Sequence, residues 1–176
     1  MQPKTAQEHL QKMLAEIGSE SSYYGETYLL PFQIETIKLT KVGPFENFEA
    51  DFKANSINVI HGLCGSGKST LIRSILYAFG IKHKHFTERV LGEGTIEVKL
   101  FPGQNFINIK GISSEKHPLK GYQCLLADDS FERIPKYMIP SLFAELKLLG
   151  IQTILTTMLI DTSKIPDDIH VITIYN

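Results

Sequence analysis

The sequence predicts an α/β fold, because short apolar runs typical of buried strands alternate with segments of helical periodicity. The clearest unit is the run INVI at residues 57–60, then a glycine-rich turn, then apolar residues at helical spacing from Leu71 to Phe79. A second unit places the helix PSLFAELKLLG between the apolar runs YQCLLA and IQTILTT. Strands and helices in this order are expected to form a sheet that is covered by helices.

The N-terminal segment predicts an amphipathic helix followed by a connector. The residues from Thr5 to Glu8 have the form of a capping box, and apolar residues then recur at helical spacing. Residues 19–28 are mostly polar, and the folded domain is expected to begin near Phe32. We therefore divide the chain into an N-terminal helix and connector at residues 1–31 and a domain at residues 32–176.

The first part of the domain has sequence patterns that are typical of β-strands. FQIETIKLTKV and FEADF predict two strands joined by a turn at Gly43-Pro44, and INVI follows them. GTIEVKLF alternates between apolar and polar residues and predicts a hairpin with FINIKG across residues 102–105. Residues 111–120 are predicted to be a loop, and HVITIY is predicted to close the sheet.

The stretch HGLCGSGKST at residues 61–70 has the spacing of a phosphate-binding loop, G-x-x-x-x-G-K-[ST]. Glycines let backbone N–H groups converge on phosphate oxygens, and the N-terminus of the following helix adds partial positive charge. The predicted nucleotide site consists of Gly62, Leu63, Cys64, Gly65, Ser66, Gly67, Lys68, Ser69 and Thr70. Lys68 is expected to reach the β- and γ-phosphates of ATP, and the Ser69 hydroxyl is expected to bind Mg²⁺.

Two acids follow the apolar run YQCLLA. They are Asp128 and Asp129, and the carboxyl ends of such strands open at the crevice where nucleotides bind. We expect Asp128 to hold Mg²⁺, directly or through water, and Asp129 to face the γ-phosphate as a catalytic residue together with Lys68. A surface turn after a strand would also accommodate two acids, so this alternative stays open.

The composition excludes several classes of protein. The chain has 176 residues, of which 43% are hydrophobic and 21% charged, as in an ordinary globular domain. No apolar run is long enough to span a membrane, and the N-terminus lacks the apolar core of a secretory signal, so a cytoplasmic protein is expected. A net charge of −1 does not support a basic DNA-binding surface, and two cysteines make no disulfide framework.

Residues 33–158 resemble a known family. IETIKLTKVGPFENFEADFKANSINVIHGLCGSGKSTLIRSILYAFG is similar to the N-terminal part of the ATPase heads in the structural-maintenance-of-chromosomes (SMC), RecF and DNA double-strand-break-repair group. CLLADDSFERIPKYMIPSLFAELKLLGIQTILTT resembles their second motif, helix and following strand. The resemblance implies a P-loop NTPase of the ABC-type head, a sandwich with a parallel core sheet and an antiparallel β-layer. It also implies that the chain binds ATP with Mg²⁺.

The sequence departs from this family at the positions that complete catalysis. It lacks the S-G-G signature loop and the long coiled coil, and only GISSEKHPLK occupies the interval of the signature. Asp129 stands where the family has glutamate, and Met158 stands where it usually has histidine. Gln104 does not match the family's magnesium-contacting glutamine, and Glu132 is a candidate for a displaced base.

These features predict an ATP-binding protein whose hydrolysis is weak or depends on a second protein that supplies the signature loop. One alternative is a regulatory or structural module that scarcely turns its nucleotide over. Another is a small nucleotide kinase, but such enzymes use several arginines to neutralise the phosphates of two substrates. This chain has only Arg73, Arg89 and Arg133.

Overall fold

The computed structural model describes residues 5–16, 26–82, 86–101, 122–129, 134–158 and 165–175. The helices within these residues are α1 (Ala6–Glu16), α2 (Lys68–Ala78) and α3 (Ile139–Leu149), with a short π-helical segment (Phe86–Leu91) and a 3-10 turn (Lys136–Met138). The strands are β1 (Glu26–Leu30), β2 (Ile34–Val42), β3 (Phe45–Asp51), β4 (Ile57–His61), β5 (Thr95–Leu100), β6 (Cys124–Asp128), β7 (Gln152–Thr157) and β8 (His170–Thr173). The α/β fold predicted from the sequence is confirmed.

The larger sheet has five strands in the order β1-β6-β7-β4-β8. β6, β7, β4 and β8 are parallel to their neighbours, and β1 pairs with β6 in the antiparallel direction at the edge. Every residue of β6 and β7 is buried, which fits a parallel sheet covered on both faces. The strand order puts β7 between β4 and β6, so the two predicted halves of the site are separated by one strand.

The two faces of this sheet face different hydrophobic clusters. Leu125 and Ala127 of β6 belong to the cluster formed with α1 and α3. Cys124 and Leu126 alternate with them and belong to the cluster formed with α2 and the second sheet. Because side chains alternate across a strand, one short apolar run supplies both cores.

The second sheet is antiparallel throughout, in the order β3-β2-β5. The predicted turn at Gly43-Pro44 joins β2 to β3, with Val42 opposite Phe45. β5 forms as predicted, but its partner among the described residues is β2. The predicted hairpin partner FINIKG and the predicted loop at 111–120 lie outside the described residues.

The prediction of a connector at residues 19–28 was wrong where these residues overlap β1. This strand hydrogen-bonds along β6, from Glu26 opposite Asp128 to Leu30 opposite Cys124. An edge strand needs a neighbour on one side only, so its sequence ETYLL can be short and partly polar, which made it look like a connector. Leu30 is 2% exposed and belongs to the cluster under α2.

The predicted N-terminal helix is confirmed as α1, together with its capping box. The Thr5 N–H donates to Glu8 Oε2 at 2.9 Å, and the Glu8 N–H donates to Thr5 Oγ1 at 3.2 Å. Ala6 and Leu10 are buried in the cluster shared with α3. Among the helices described, none is long and apolar enough to cross a membrane.

Candidate functional site

The phosphate loop (residues 62–70) leads from β4 into α2, as the sequence predicts. β4 is buried as far as Ile60, and α2 begins at Lys68. The Ser66 N–H donates to the Leu63 carbonyl at 3.1 Å, which closes a tight turn. Strand, turn and helix therefore follow one another in the arrangement that phosphate binding at a helix N-terminus requires.

Gly67 is required at the entry to α2 for two reasons. Its φ of 107° lies in the left-handed region that side chains disfavour. A Cβ atom there would lie 2.6 Å from Phe45 Cζ and 2.8 Å from Pro44 Cγ. The turn between β2 and β3 thus packs directly against the loop, a contact that the sequence analysis did not identify. The sequence indicates this segment only as a turn, through the stretch Gly43-Pro44-Phe45.

Lys68 is buried within the loop that it follows. It is 6% exposed, and its Nζ donates to the carbonyl oxygens of Gly62 at 2.7 Å and Leu63 at 2.8 Å. These contacts hold a positive charge at the centre of the loop, beside the N-terminus of α2. A cation so placed, with backbone N–H groups around it, is suited to bind an anion.

A cavity of about 260 Å³ opens in front of the loop, and we call it the loop cavity. Three other parts of the fold meet the phosphate loop here, namely the β2–β3 turn, the end of β6 and the end of β7. Its lining residues are Pro44, Cys64, Gly65, Gly67, Lys68, Ser69, Thr70, Asp129 and Met158. The fold thus brings Asp129 and Met158 to the loop, although they are far from it in sequence.

Asp128 lies behind this cavity and is 5% exposed. Its Oδ1 accepts a hydrogen bond of 2.7 Å from the hydroxyl of Thr156 on β7. The same hydroxyl accepts a 3.0 Å hydrogen bond from the backbone N–H of Asp129, whose φ is 54°. Sequence reasoning missed Thr156, because nothing in a single sequence links it to acids that lie 27 and 28 residues before it.

The remaining loop residues face a second cavity of about 440 Å³. Its lining residues are His61, Gly62, Leu63, Ser66, Thr173, Ile174 and Tyr175. The nine predicted nucleotide-binding residues are therefore divided between the two sides of the loop, with the second part of the loop facing the loop cavity. Gln104 and Glu132 lie outside the described residues, as does the interval 111–120.

The donor set fits a Mg²⁺ ion held jointly with a nucleotide. Within the described part of the chain, no three His, Cys, Asp or Glu side chains come together to hold a metal ion. Mg²⁺ does not need such a cluster, because it is usually bound by one or two carboxylates together with phosphate oxygens and water. Ser69 at the loop cavity and Asp128 behind it are oxygen donors of this kind.

The two cysteines have opposite environments. Cys64 is exposed on the loop, and Cys124 is fully buried on β6. Burial raises the pKa of the Cys124 thiol, because the thiolate would lose its hydration. Both cysteines are free.

Comparison with known proteins gives one family. The family model described as "AAA domain" matches residues 36–132, which is more than half of the chain. The match includes the phosphate loop, Asp128 and Asp129. Comparison with curated proteins gave no match. The match agrees with the strand, loop and helix described above and supports a P-loop ATPase domain that binds ATP. The chain therefore belongs to the AAA domain family.

Proposed function

We propose that the chain is a compact ATPase head, related to the SMC, RecF and double-strand-break-repair group, that binds Mg-ATP in the loop cavity. The observation that carries this proposal is the convergence of Lys68, Ser69, Asp129 and Met158 on one cavity, with Asp128 directly behind it. The family match supports an ATP-binding P-loop domain, and the relationship to the SMC and RecF group rests on the sequence resemblance. The relationship to DNA repair rests on that resemblance alone, since the net charge of −1 does not favour DNA contact.

In this proposal the phosphates lie over the second part of the loop, from Cys64 to Thr70. Lys68 exchanges its contacts with the carbonyls of Gly62 and Leu63 for contacts with phosphate oxygens. The N–H groups at the start of α2 add to its charge. Ser69 and Asp128 hold Mg²⁺, which neutralises charge on the phosphates when bound.

We propose that hydrolysis is slow, or needs a second protein. Asp129 is one methylene shorter than the glutamate expected to orient the attacking water, and misplacement by about 1 Å can cost on the order of a hundredfold in rate. Met158 lines the cavity but offers no hydrogen-bond donor to the γ-phosphate. A partner that brings a signature loop would supply the missing donors.

The exposure of the site favours the alternative of a nucleotide-binding regulatory module. Cys64 and Asp129 are exposed, and Met158 is 40% exposed, so the described residues of the cavity do not enclose a γ-phosphate. Water exclusion strengthens electrostatic stabilisation in closed active sites, and the described residues of this cavity leave it open to water. The kinase alternative has less support, because none of the described residues that line the loop cavity is an arginine.

The decisive experiment measures binding of a fluorescent ATP analogue with and without Mg²⁺, and phosphate release from ATP, on the same preparation. We expect Lys68→Ala to abolish binding or weaken it severely while the fold survives, because the lysine supplies charge to the phosphates. Lys82→Ala, at an exposed lysine beyond α2, is the matched control and should bind as the parent does.

Equal binding by folded Lys68→Ala and the parent chain would overturn the proposed nucleotide site. Binding without detectable phosphate release would favour the regulatory module over the weak ATPase. Transfer of phosphate to a nucleoside monophosphate would favour the kinase.

A further inference from the structure

We propose that Thr156 is a positioning residue that sets both acids of the site with one hydroxyl. This inference rests on the proposed function, since it assigns to Thr156 the task of orienting Asp128 toward Mg²⁺ and Asp129 toward the γ-phosphate. Thr156 lies on β7, the strand between β4 and β6, and is fully buried. It does not line the loop cavity, so it acts through the two aspartates and not on a ligand.

The geometry uses both hydrogen-bonding capacities of the hydroxyl. Thr156 Oγ1 donates its proton to Asp128 Oδ1 at 2.7 Å. The same oxygen accepts the Asp129 backbone N–H at 3.0 Å. A hydroxyl is the smallest side-chain group that donates and accepts at one atom, so threonine and serine can make this bridge and valine cannot.

Each of the two hydrogen bonds restricts a different motion of the two aspartates. The donated bond fixes the orientation of the Asp128 carboxyl group. The accepted bond holds the backbone of Asp129, which has the left-handed φ of 54° that aspartate adopts uncommonly. Loss of the bridge would remove one restraint on the Asp128 carboxyl group and one on the Asp129 backbone.

The same strand provides a matched control at Thr153. This residue is also fully buried on β7, and its Oγ1 has no hydrogen-bond partner among the described residues. Thr153→Val removes an equivalent hydroxyl from the same strand without touching either acid. It should leave stability unchanged or raised, because a buried hydroxyl without a partner costs free energy.

The experiment compares Thr156→Val, Thr156→Ser and Thr153→Val with the parent chain. The readout is the ratio of affinities for a fluorescent ATP analogue with Mg²⁺ and with chelator, and urea unfolding is followed in parallel. Residues that orient metal ligands typically contribute 10- to 100-fold to metal affinity. We therefore expect the Mg²⁺ enhancement of binding to fall about tenfold or more in Thr156→Val. Affinity in chelator should change little, because the loop itself is intact.

The conservative variant separates positioning from simple packing. Thr156→Ser loses a buried methyl group and should be less stable than the parent, yet it should keep the Mg²⁺ enhancement. Thr156→Val keeps the shape and should lose the enhancement. A Thr156→Val variant with the parent's full enhancement would overturn this inference and leave the proposed function standing. A parent chain that binds no ATP, or whose binding ignores Mg²⁺, would overturn the proposed function and the inference together.

Discussion

Gly67 is restricted both by its backbone conformation and by its neighbours. Its left-handed φ excludes an ordinary side chain on conformational grounds, and the rings of Phe45 and Pro44 exclude it sterically. Gly65 has only the first restriction, because its φ is 78° but a Cβ atom there meets nothing within 4 Å. Comparison of the two positions therefore separates the cost of a left-handed backbone conformation from the cost of close packing.

We predict that Gly67→Ala destabilises the fold more than Gly65→Ala does. Gly65→Ala should cost about 1–2 kcal/mol, the usual cost of a left-handed residue. Gly67→Ala adds overpacking, which costs about 1–3 kcal/mol more, and should also displace the loop and weaken ATP-analogue binding. Urea unfolding and binding titrations measure both effects. Equal stability of the two variants would contradict the contact between the β2–β3 turn and the loop.

Cys64 should be the cysteine that thiol reagents label in the native chain. It is exposed at the loop cavity, whereas burial raises the pKa of the Cys124 thiol and keeps it protonated and inaccessible. Bound ATP should slow the labelling, because Cys64 lines the proposed phosphate site. Mass spectrometry after timed labelling measures this, with Cys64→Ser as the control for specificity. Equal labelling rates with and without ATP would argue against nucleotide binding at this cavity.

Among the elements, β1 makes the N-terminal segment part of the core of the domain. It extends the core sheet beyond β6, and its Leu30 is enclosed by the cluster beneath α2. α1 adds Ala6 and Leu10 to the opposite cluster. The segment before Phe32 thus contributes to both cores of the domain.

We predict that Leu30→Ala costs about 2–5 kcal/mol of unfolding free energy, as expected for a leucine removed from a closed core. Leu148→Ala on α3 is the matched control, because Leu148 is 73% exposed and should change stability by less than about 0.5 kcal/mol. Urea unfolding measures both. Equal, small effects of the two substitutions on the unfolding free energy would mean that β1 does not unfold cooperatively with the rest of the domain.

The elements that the sequence predicted well are those with local causes. The turn at Gly43-Pro44, the loop and the start of α2 depend on residues that are adjacent in the chain. β1 and the contact of Phe45 with Gly67 could not be predicted, because both depend on segments that meet only in the folded chain. The Thr156 bridge is of the same kind, since its hydroxyl acts on acids from another strand.

Across the whole fold, the proposed site lies at the carboxyl edge of the parallel strands, where the described residues leave it open to solvent. Its acids come from β6 and its cradle from β4, and the exposed Met158 at the end of β7 stands between them. In the proposed function, a second molecule covers this edge and excludes water. A copy of this chain has no recognised signature loop with which to do so.

We predict that phosphate release per chain stays well below the ~1 s⁻¹ of typical enzymes and does not rise with protein concentration. Self-association would complete no site, so activity per chain should be flat across a wide dilution series. Asp128→Ala provides the background rate. A steep rise with concentration that is absent in Asp128→Ala would contradict this prediction and indicate a signature within residues 111–120.

The position of β7 between β4 and β6 has a consequence for the order of folding. The cradle and the acids become neighbours only after β7 has paired with both strands, and Ile57 of β4 meets Thr153 of β7 across nearly the whole middle of the chain. Parallel pairings over such separations form slowly, because the entropy of closing a long loop is lost before any contact is gained. A refolding chain should therefore have its glycine-rich turn and α2 well before it can recognise Mg-ATP. ATP that binds at the proposed site, after the sheet has formed, should therefore slow unfolding and leave the rate of folding unchanged.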